Sequence, residues 1–237
     1  RTLPEVEAAI SRACHYSPHG WVIKAELSHA CRNRLLGTSS TCGGEQRAWV
    51  AGKFAIGESV YVEPWVRRVS ECGLQFHVTK SASAMLQVQF IGAAEMITDE
   101  AGRYRGSVVY SLRHEGSSHD SPWQAAIEHG YHIAEAAAAT GYFGAIGIDC
   151  MIFRCPRDNR RWLRLSHDIN GRLTMGRVAL SLRRLLEPGE TGYWLHSSAD
   201  FVRQNQERID KNFGCGVRMI STSPGQTGGR VAKIGTA

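Results

Sequence analysis

The chain has 237 residues, a net charge of +6, 43% apolar and 21% charged residues. That composition supports one large or two small packed domains and excludes global disorder. No apolar run approaches the roughly 18 residues of a membrane span, and Arg1–Glu5 lacks the blocks of a signal peptide.

Thr2 and Glu5 form a capping-box pattern with Pro4 in the first turn, which predicts a helix to about Cys14. The start so close to a helix signal leads us to expect a fragment with something missing upstream. Ser17-Pro18-His19-Gly20 reads as a turn, and Trp21-Val22-Ile23-Lys24 as a buried strand. Residues 25–44 are polar and glycine-containing, a loop or hairpin. Glu45–Phe54 is helical in character. Ser59–Glu63, Leu74–Thr79, Met85–Ile91 and Arg105–Leu112 read as strands, with a turn at Asp99-Glu100-Ala101-Gly102. Ser121-Pro122-Trp123-Gln124 predicts a capped helix running to Gly141. Ala145–Arg154 and Arg161–Asp168 are strands. Val178–Leu186 and Ala199–Phe213 are helices, and the tail from Ser221 is turn-rich and loop-like. Strands and helices alternate only in part, which predicts an α+β fold with mostly antiparallel sheets.

The 23 arginines and 5 lysines never exceed two in a row, so the charge suits a nucleotide-sized anion as well as nucleic acid. The cysteines are Cys14, Cys31, Cys42, Cys72, Cys150, Cys155 and Cys215, an odd number without C-x-x-C. Neither a zinc site nor a disulfide framework is indicated, and reduced thiols imply a cytoplasmic chain. His114, His119, His129 and His132 cluster without a third-ligand pattern. No G-x-S-x-G elbow supports a serine nucleophile.

The informative segment is Gly147–Phe153, a turn, then Trp162–Arg172. If a turn centres on Asp158-Asn159, Asp149 sits directly opposite Asp168, with Asn170 on the same face. Opposed carboxylates destabilise a sheet unless a hard divalent cation lies between them. Asp149, Asp168 and Asn170 are therefore candidate ligands of Mg²⁺ (or Mn²⁺), and Arg172 a candidate for stabilising a transferring phosphoryl group. A solvent-facing hairpin whose acids pair with Arg161 or Arg164 is the alternative. Cys150 alternates with Asp149 and is expected in the core.

Asp168-Ile169-Asn170-Gly171-Arg172-Leu173-Thr174-Met175-Gly176 resembles the metal-binding end of the ATP-grasp superfamily, whose pattern is Glu-x-Asn-Pro-Arg, often followed by Thr and Gly. Asp replaces Glu at 168 and Gly replaces Pro at 171. Gly144–Asp149 resembles the family strand bearing the first metal ligand. Gly20-Trp21-Val22-Ile23-Lys24 resembles the strand whose Lys contacts nucleotide phosphates. Val60–Val66 resembles the hinge strand that reads adenine. The resemblance implies a Glu63 carbonyl accepting from the adenine amino group, a Val66 N–H donating to the ring, and Glu71 near the ribose hydroxyls. The family's Gly-rich loop is not matched by Ala25–Arg34, where Ser28, Arg32 and Arg34 could bind phosphate. An earlier strand with a second phosphate-binding Lys is not matched either.

The resemblance covers roughly residues 3–187 and implies the C-terminal two-thirds of an ATP-grasp unit. Residues 1–64 would be a partial N-terminal subdomain, 65–190 the C-terminal subdomain with the metal site, and 191–237 a helix and loop-rich tail. It further implies an ATP- and Mg²⁺-dependent ligase that activates a small-molecule carboxylate as an acyl phosphate for attack by an amine. Lys24 and Arg172 would be its catalytic cations. A degenerate nucleotide-binding module without catalysis and a basic nucleic-acid-binding domain are the alternatives, and neither nucleic acid nor a membrane is the expected partner.

Overall fold

The computed structural model describes residues 2–26, 33–80, 86–111, 121–195, 218–221 and 230–234, the last two segments as backbone. It divides into two units. The first comprises Arg1–Val69 with Ile152–Trp162, the second Ser70–Met151 with Leu163–Ala237.

In the first unit, the expected capping box forms. The Thr2 N–H donates to Glu5 Oε2 at 2.8 Å and the Glu5 N–H donates to Thr2 Oγ1 at 3.4 Å. Helix α1 (Leu3–Tyr16) turns Val6, Ile10 and Ala13 inward, a spacing that lines one helical face. They pack on a three-stranded sheet of order β2-β1-β3, formed by β1 (Trp21–Ala25), β2 (Arg34–Gly37) and β3 (Val60–Pro64). Both pairings are antiparallel. The 25–44 region thus contributes a paired strand, and α2 (Gly44–Ala55) adds Val50 to a core with Trp21, Ile23 and Cys42. Lys24 is the one residue of the central strand β1 that is not buried.

Gly20 sets the entry to β1. Its φ is +93°, and a β-carbon there would collide with the Gly37 carbonyl. Its own carbonyl accepts the Trp65 N–H at 2.8 Å. Only glycine meets both conditions without strain.

The second unit is built on an eight-stranded sheet of order β10-β11-β9-β6-β5-β4-β7-β8 among the described residues. The strands are β4 (Arg67–Lys80), β5 (Leu86–Thr98), β6 (Tyr104–Tyr110), β7 (Gly144–Arg154), β8 (Arg161–Asn170), β9 (Thr191–Leu195), β10 (Arg218–Ser221) and β11 (Arg230–Ile234). β5 pairs antiparallel with β4 and β6, and β9 with β6 and β11. The fold is α+β with antiparallel sheets, as the sequence predicts. Helix α3 (Gln124–Ala139) buries Ala126, Gly130, Ala134 and Ala138. These small residues admit Phe76, whose ring packs edge-on against Tyr131 at 5.3 Å and tilted against Phe90 at 5.2 Å.

Three local expectations are corrected. Ser121 does not cap α3. Its Oγ accepts the Trp123 N–H at 3.3 Å, so Ser-Pro-Trp makes a turn and the helix begins at Gln124. The expected 178–186 helix begins earlier, as α4 (Met175–Ser181), and tightens into a 3₁₀ turn over Leu182–Leu185. The tail is not all loop, because β10 and β11 pair with each other and β11 with β9. The expected 199–213 helix lies outside the described residues. No helix among them is long and apolar enough to cross a membrane.

Gly20→Ala introduces both a positive φ and a backbone collision, at a cost of about 2–3 kcal/mol. A melting temperature lower by roughly 5 °C or more, read by calorimetry, is the expected outcome. A second prediction concerns the Asp99 turn. The Arg103 N–H bonded to Asp99 Oδ1, with help from the Arg103 and Arg105 guanidiniums, lowers the Asp99 pKa to about 2. The carboxyl resonance of Asp99 should therefore titrate near 2. The turn's support is complete above the ordinary carboxylate range and is lost as pH falls through about 2.

Candidate functional site

Lys24 and Glu63 form an ion pair in the first unit, with Lys24 Nζ 2.8 Å from Glu63 Oε2. The register explains the pairing. Glu63 lies opposite Val22, so Lys24, two residues on, shares its face. Lys24 also lies directly opposite Arg34 on the other neighbour, β2. Two cations face to face across a ladder repel. Glu63 offsets part of that repulsion, and an anionic group bound there would offset more.

The segment after β3 is pinned. The Trp65 N–H is held by Gly20, and the Trp65 carbonyl accepts from Ser17 Oγ. The Trp65 ring lies under two guanidiniums, Arg34 at 5.7 Å and Arg68 at 4.8 Å. The backbone of Glu63–Val66, the expected adenine reader, is thereby anchored at its centre. Of the expected phosphate loop, Ser28 and Arg32 lie outside the described residues.

In the second unit, β4 sends alternate side chains to opposite faces. Cys72, Leu74 and Phe76 are buried, with Phe76 against α3. Glu71, Gly73 and Gln75 take the other face, where Thr174 Oγ1 donates to Gln75 Oε1 at 2.8 Å. Asp149 belongs to this second face. Its Oδ1 is 3.5 Å from where a β-carbon on Gly73 would stand, an ordinary contact distance. Cys150 turns the other way, fully buried, and donates its thiol to the Cys72 carbonyl at 3.3 Å, a core role as expected. Burial, then the Cys150 neighbour, pushes the Cys72 thiol well up.

Glu71, expected near ribose hydroxyls, is only 7% exposed. Thr98 Oγ1 donates to its Oε2 at 2.5 Å, and His167 Nε2 lies 4.0 Å from its Oε1. Sequence reasoning passed over His167, Thr98 and Trp65. The available signals were the position of His167 beside Asp168 and the arginines near Trp65 in the sequence.

The β7–β8 ribbon corrects the count on which the acidic pair rested. Its turn is not centred on Asp158-Asn159. The Cys155 N–H donates to the Arg160 carbonyl and the Asn159 N–H to the Cys155 carbonyl, both at 2.9 Å, with Asn159 at φ +56°. The loop is therefore Pro156–Asn159. Further along, Ser166 Oγ lies 3.4 Å from His129 Nε2 of α3, whereas His167 reaches Glu71 on the opposite face. His167 thus approaches the face that Glu71 and Asp149 share. Asp168 instead accepts from Asn170 Nδ2 at 3.3 Å, and Asn170 Oδ1 accepts from Arg172 Nη2 at 2.8 Å. So the structure brings Asp168, Asn170 and Arg172 together and sets Asp149 with the Gly73–Gln75 face. Among the described residues no three His, Cys, Asp or Glu side chains gather as a metal-binding group.

No family model and no curated protein matches the sequence. Solved structures do. The biotin carboxylase domain of 2-oxoglutarate carboxylase from Hydrogenobacter thermophilus, bound to MgADP, ADP and bicarbonate, matches at TM-score 0.54 and 11% identity, covering 99% of this chain and 56% of that one. The chain has a partial ATP-grasp fold. N5-carboxyaminoimidazole synthase from Aspergillus clavatus, with ADP and 5-aminoimidazole ribonucleotide, matches at TM-score 0.48 and 14% identity over 99% of this chain and 61% of that one. The N5-carboxyaminoimidazole synthetase of Staphylococcus aureus with ADP matches at 0.47 and 10%, over 91% and 57%. This chain thus spans well under two thirds of each. The ATP-grasp fold is established by the carboxylase domain, the match above 0.5.

The Lys24–Glu63 pair yields a prediction. Both side chains are about three-quarters buried. A double-mutant cycle with Lys24→Met and Glu63→Gln should give a coupling of about 1 kcal/mol, measured by urea unfolding.

Proposed function

We propose that this chain is the nucleotide-binding part of an ATP-dependent ligase that activates a carboxylate as an acyl phosphate for attack by an amine. The observation that carries this reading is the ATP-grasp fold together with the opposed cations Lys24 and Arg34 beside the anchored Glu63–Val66 segment. The matched carboxylase domain holds MgADP and bicarbonate, which supports both the nucleotide and a small carboxylate-like substrate.

In this proposal Lys24 makes a point-charge contact to phosphate. The Glu63 carbonyl accepts from the adenine amino group and the Val66 N–H donates to the ring. Glu71 serves the ribose hydroxyls once it exchanges a present partner. Arg172, already beside Asp168 and Asn170, stabilises the transferring phosphoryl group. Asp149, Asp168 and Asn170 remain the proposed ligands of Mg²⁺ or Mn²⁺.

The unmatched Gly-rich loop favours a second reading, a nucleotide-binding module that does not turn over. Calorimetry with Mg·ATP separates both readings from failure. Saturable binding that falls about tenfold or more in Lys24→Ala supports a nucleotide site. ADP release dependent on a carboxylate and an amine, and lost in Arg172→Ala, supports the ligase. Binding without such release supports the silent module. An absence of binding by the full protein removes both. With Mn²⁺ in place of Mg²⁺, weakened ion binding in both Asp149→Asn and Asp168→Asn supports a shared site, and weakening in neither removes these ligands.

A further inference from the structure

The structure carries a second, basic cavity that the nucleotide reading does not use. It has a volume of about 460 Å³ and is lined by Ser11, Arg12, His15 and Tyr16 of α1 and by Arg157 from the Pro156–Asn159 turn, all within the first unit. We propose that this cavity binds a phosphorylated small molecule. It shares no residue with the positions assigned above to the nucleotide.

Charge is the first argument. Arg12 and His15 are three residues apart on α1 and share a face. Arg157 comes to them from another element, its guanidinium 5.0 Å from the centre of the Tyr16 ring. Two permanent cations and an imidazole thus line one cavity, with no carboxylate in its lining. The acids of these elements each have a partner of their own. Glu5 closes the Thr2 capping box, Glu7 pairs with Arg47 at 2.7 Å, and an Asp158 carboxylate oxygen accepts the Arg160 N–H at 3.0 Å. Bringing like charges together without a counter-ion is unfavourable, and a bound dianion reverses the sign.

Rigidity is the second. The turn that presents Arg157 is closed by the Cys155 and Asn159 backbone bonds and braced by Arg154 Nη1, which donates to the Asn159 carbonyl at 3.1 Å. Tyr16 is held beside Cys155, its hydroxyl 3.9 Å from the sulfur. The cation over the ring is therefore placed in advance and need not be ordered by the ligand.

Chemistry selects the ligand class. Guanidiniums bind phosphate oxygens in a forked geometry, and two of them with the His15 ring and Ser11 hydroxyl suit a dianionic phosphoester better than a single carboxylate. The volume exceeds that of the phosphate group and lies within the roughly 300–1,000 Å³ range of small-molecule sites, leaving space for an organic group. An open cavity with one aromatic ring differs from the continuous groove of successive stacking rings used for single-stranded nucleic acid.

Phenyl phosphate is a minimal probe. The full chain titrated with it in calorimetry should show saturable one-to-one binding. An Arg12→Gln/Arg157→Gln double variant should weaken it by about tenfold or more, while Lys24→Ala should bind as the parent does. Both arginines are exposed, so the double variant should keep its melting temperature. A readout on the unaltered protein is independent of folding. The amides of Arg12, His15, Tyr16 and Arg157 should shift on titration. No saturable binding, unchanged affinity in the double variant, shifts elsewhere, or loss in Lys24→Ala alone would each overturn the proposal. So would an oligothymidylate strand that binds through these arginines where phenyl phosphate does not.

Discussion

Close packing of α3 on one face of the large sheet decides which side chains are left for chemistry. The helix face of Ala126, Gly130, Ala134 and Ala138 lies so near the strands that Phe76 fills the space a side chain at 130 would need. That contact commits the even-numbered residues of β4 to the core and the odd-numbered ones, Glu71, Gly73 and Gln75, to the opposite face. Asp149 and His167 follow them there, and Ser166 is drawn the other way by His129. A strand offers each residue only one of two faces. A single packing interaction therefore propagates into the placement of every candidate acid in the second unit.

The first unit obeys a different constraint. Its central strand is buried except at Lys24, so the only charge β1 carries must find compensation at the sheet surface. Glu63 supplies it from β3, while Arg34 adds a second cation from β2. Closely opposed cations of this kind are what an anionic ligand recognises. The Trp65 anchor turns the same local geometry into a fixed backbone segment. Both of its main-chain polar groups are used, and its ring lies against two guanidiniums.

Much of the architecture was legible in the sequence because local chemistry encodes it. Thr2 and Glu5 signalled α1, β-branched and aromatic runs signalled β1, β3 and β6, and the alternation around Cys150 located a core thiol. Where local signals misled, another local bond or a tertiary pairing prevailed. Ser121 looked like a helix cap but serves the turn before the helix. Residues 191–195, 218–221 and 230–234 carry too little pattern to be read as strands, and they become strands by pairing with one another and with β6. The return of Ile152–Trp162 to the first unit has no counterpart in composition at all.

By itself, then, the sequence determined much of the inventory: most of the strands, that Asp168 and Asn170 stand at alternate positions where one of them ends with Arg172 just beyond, and that Lys24 lies in a buried one. It could not determine the partner of each. Which residue of β8 stands opposite Asp149 depends on the loop at Pro156–Asn159 and on the side of β8 that α3 claims. Both are set by contacts between residues far apart in the chain. Periodicity repeats every two residues and so leaves the offset between two strands open. Only packing in three dimensions selects it.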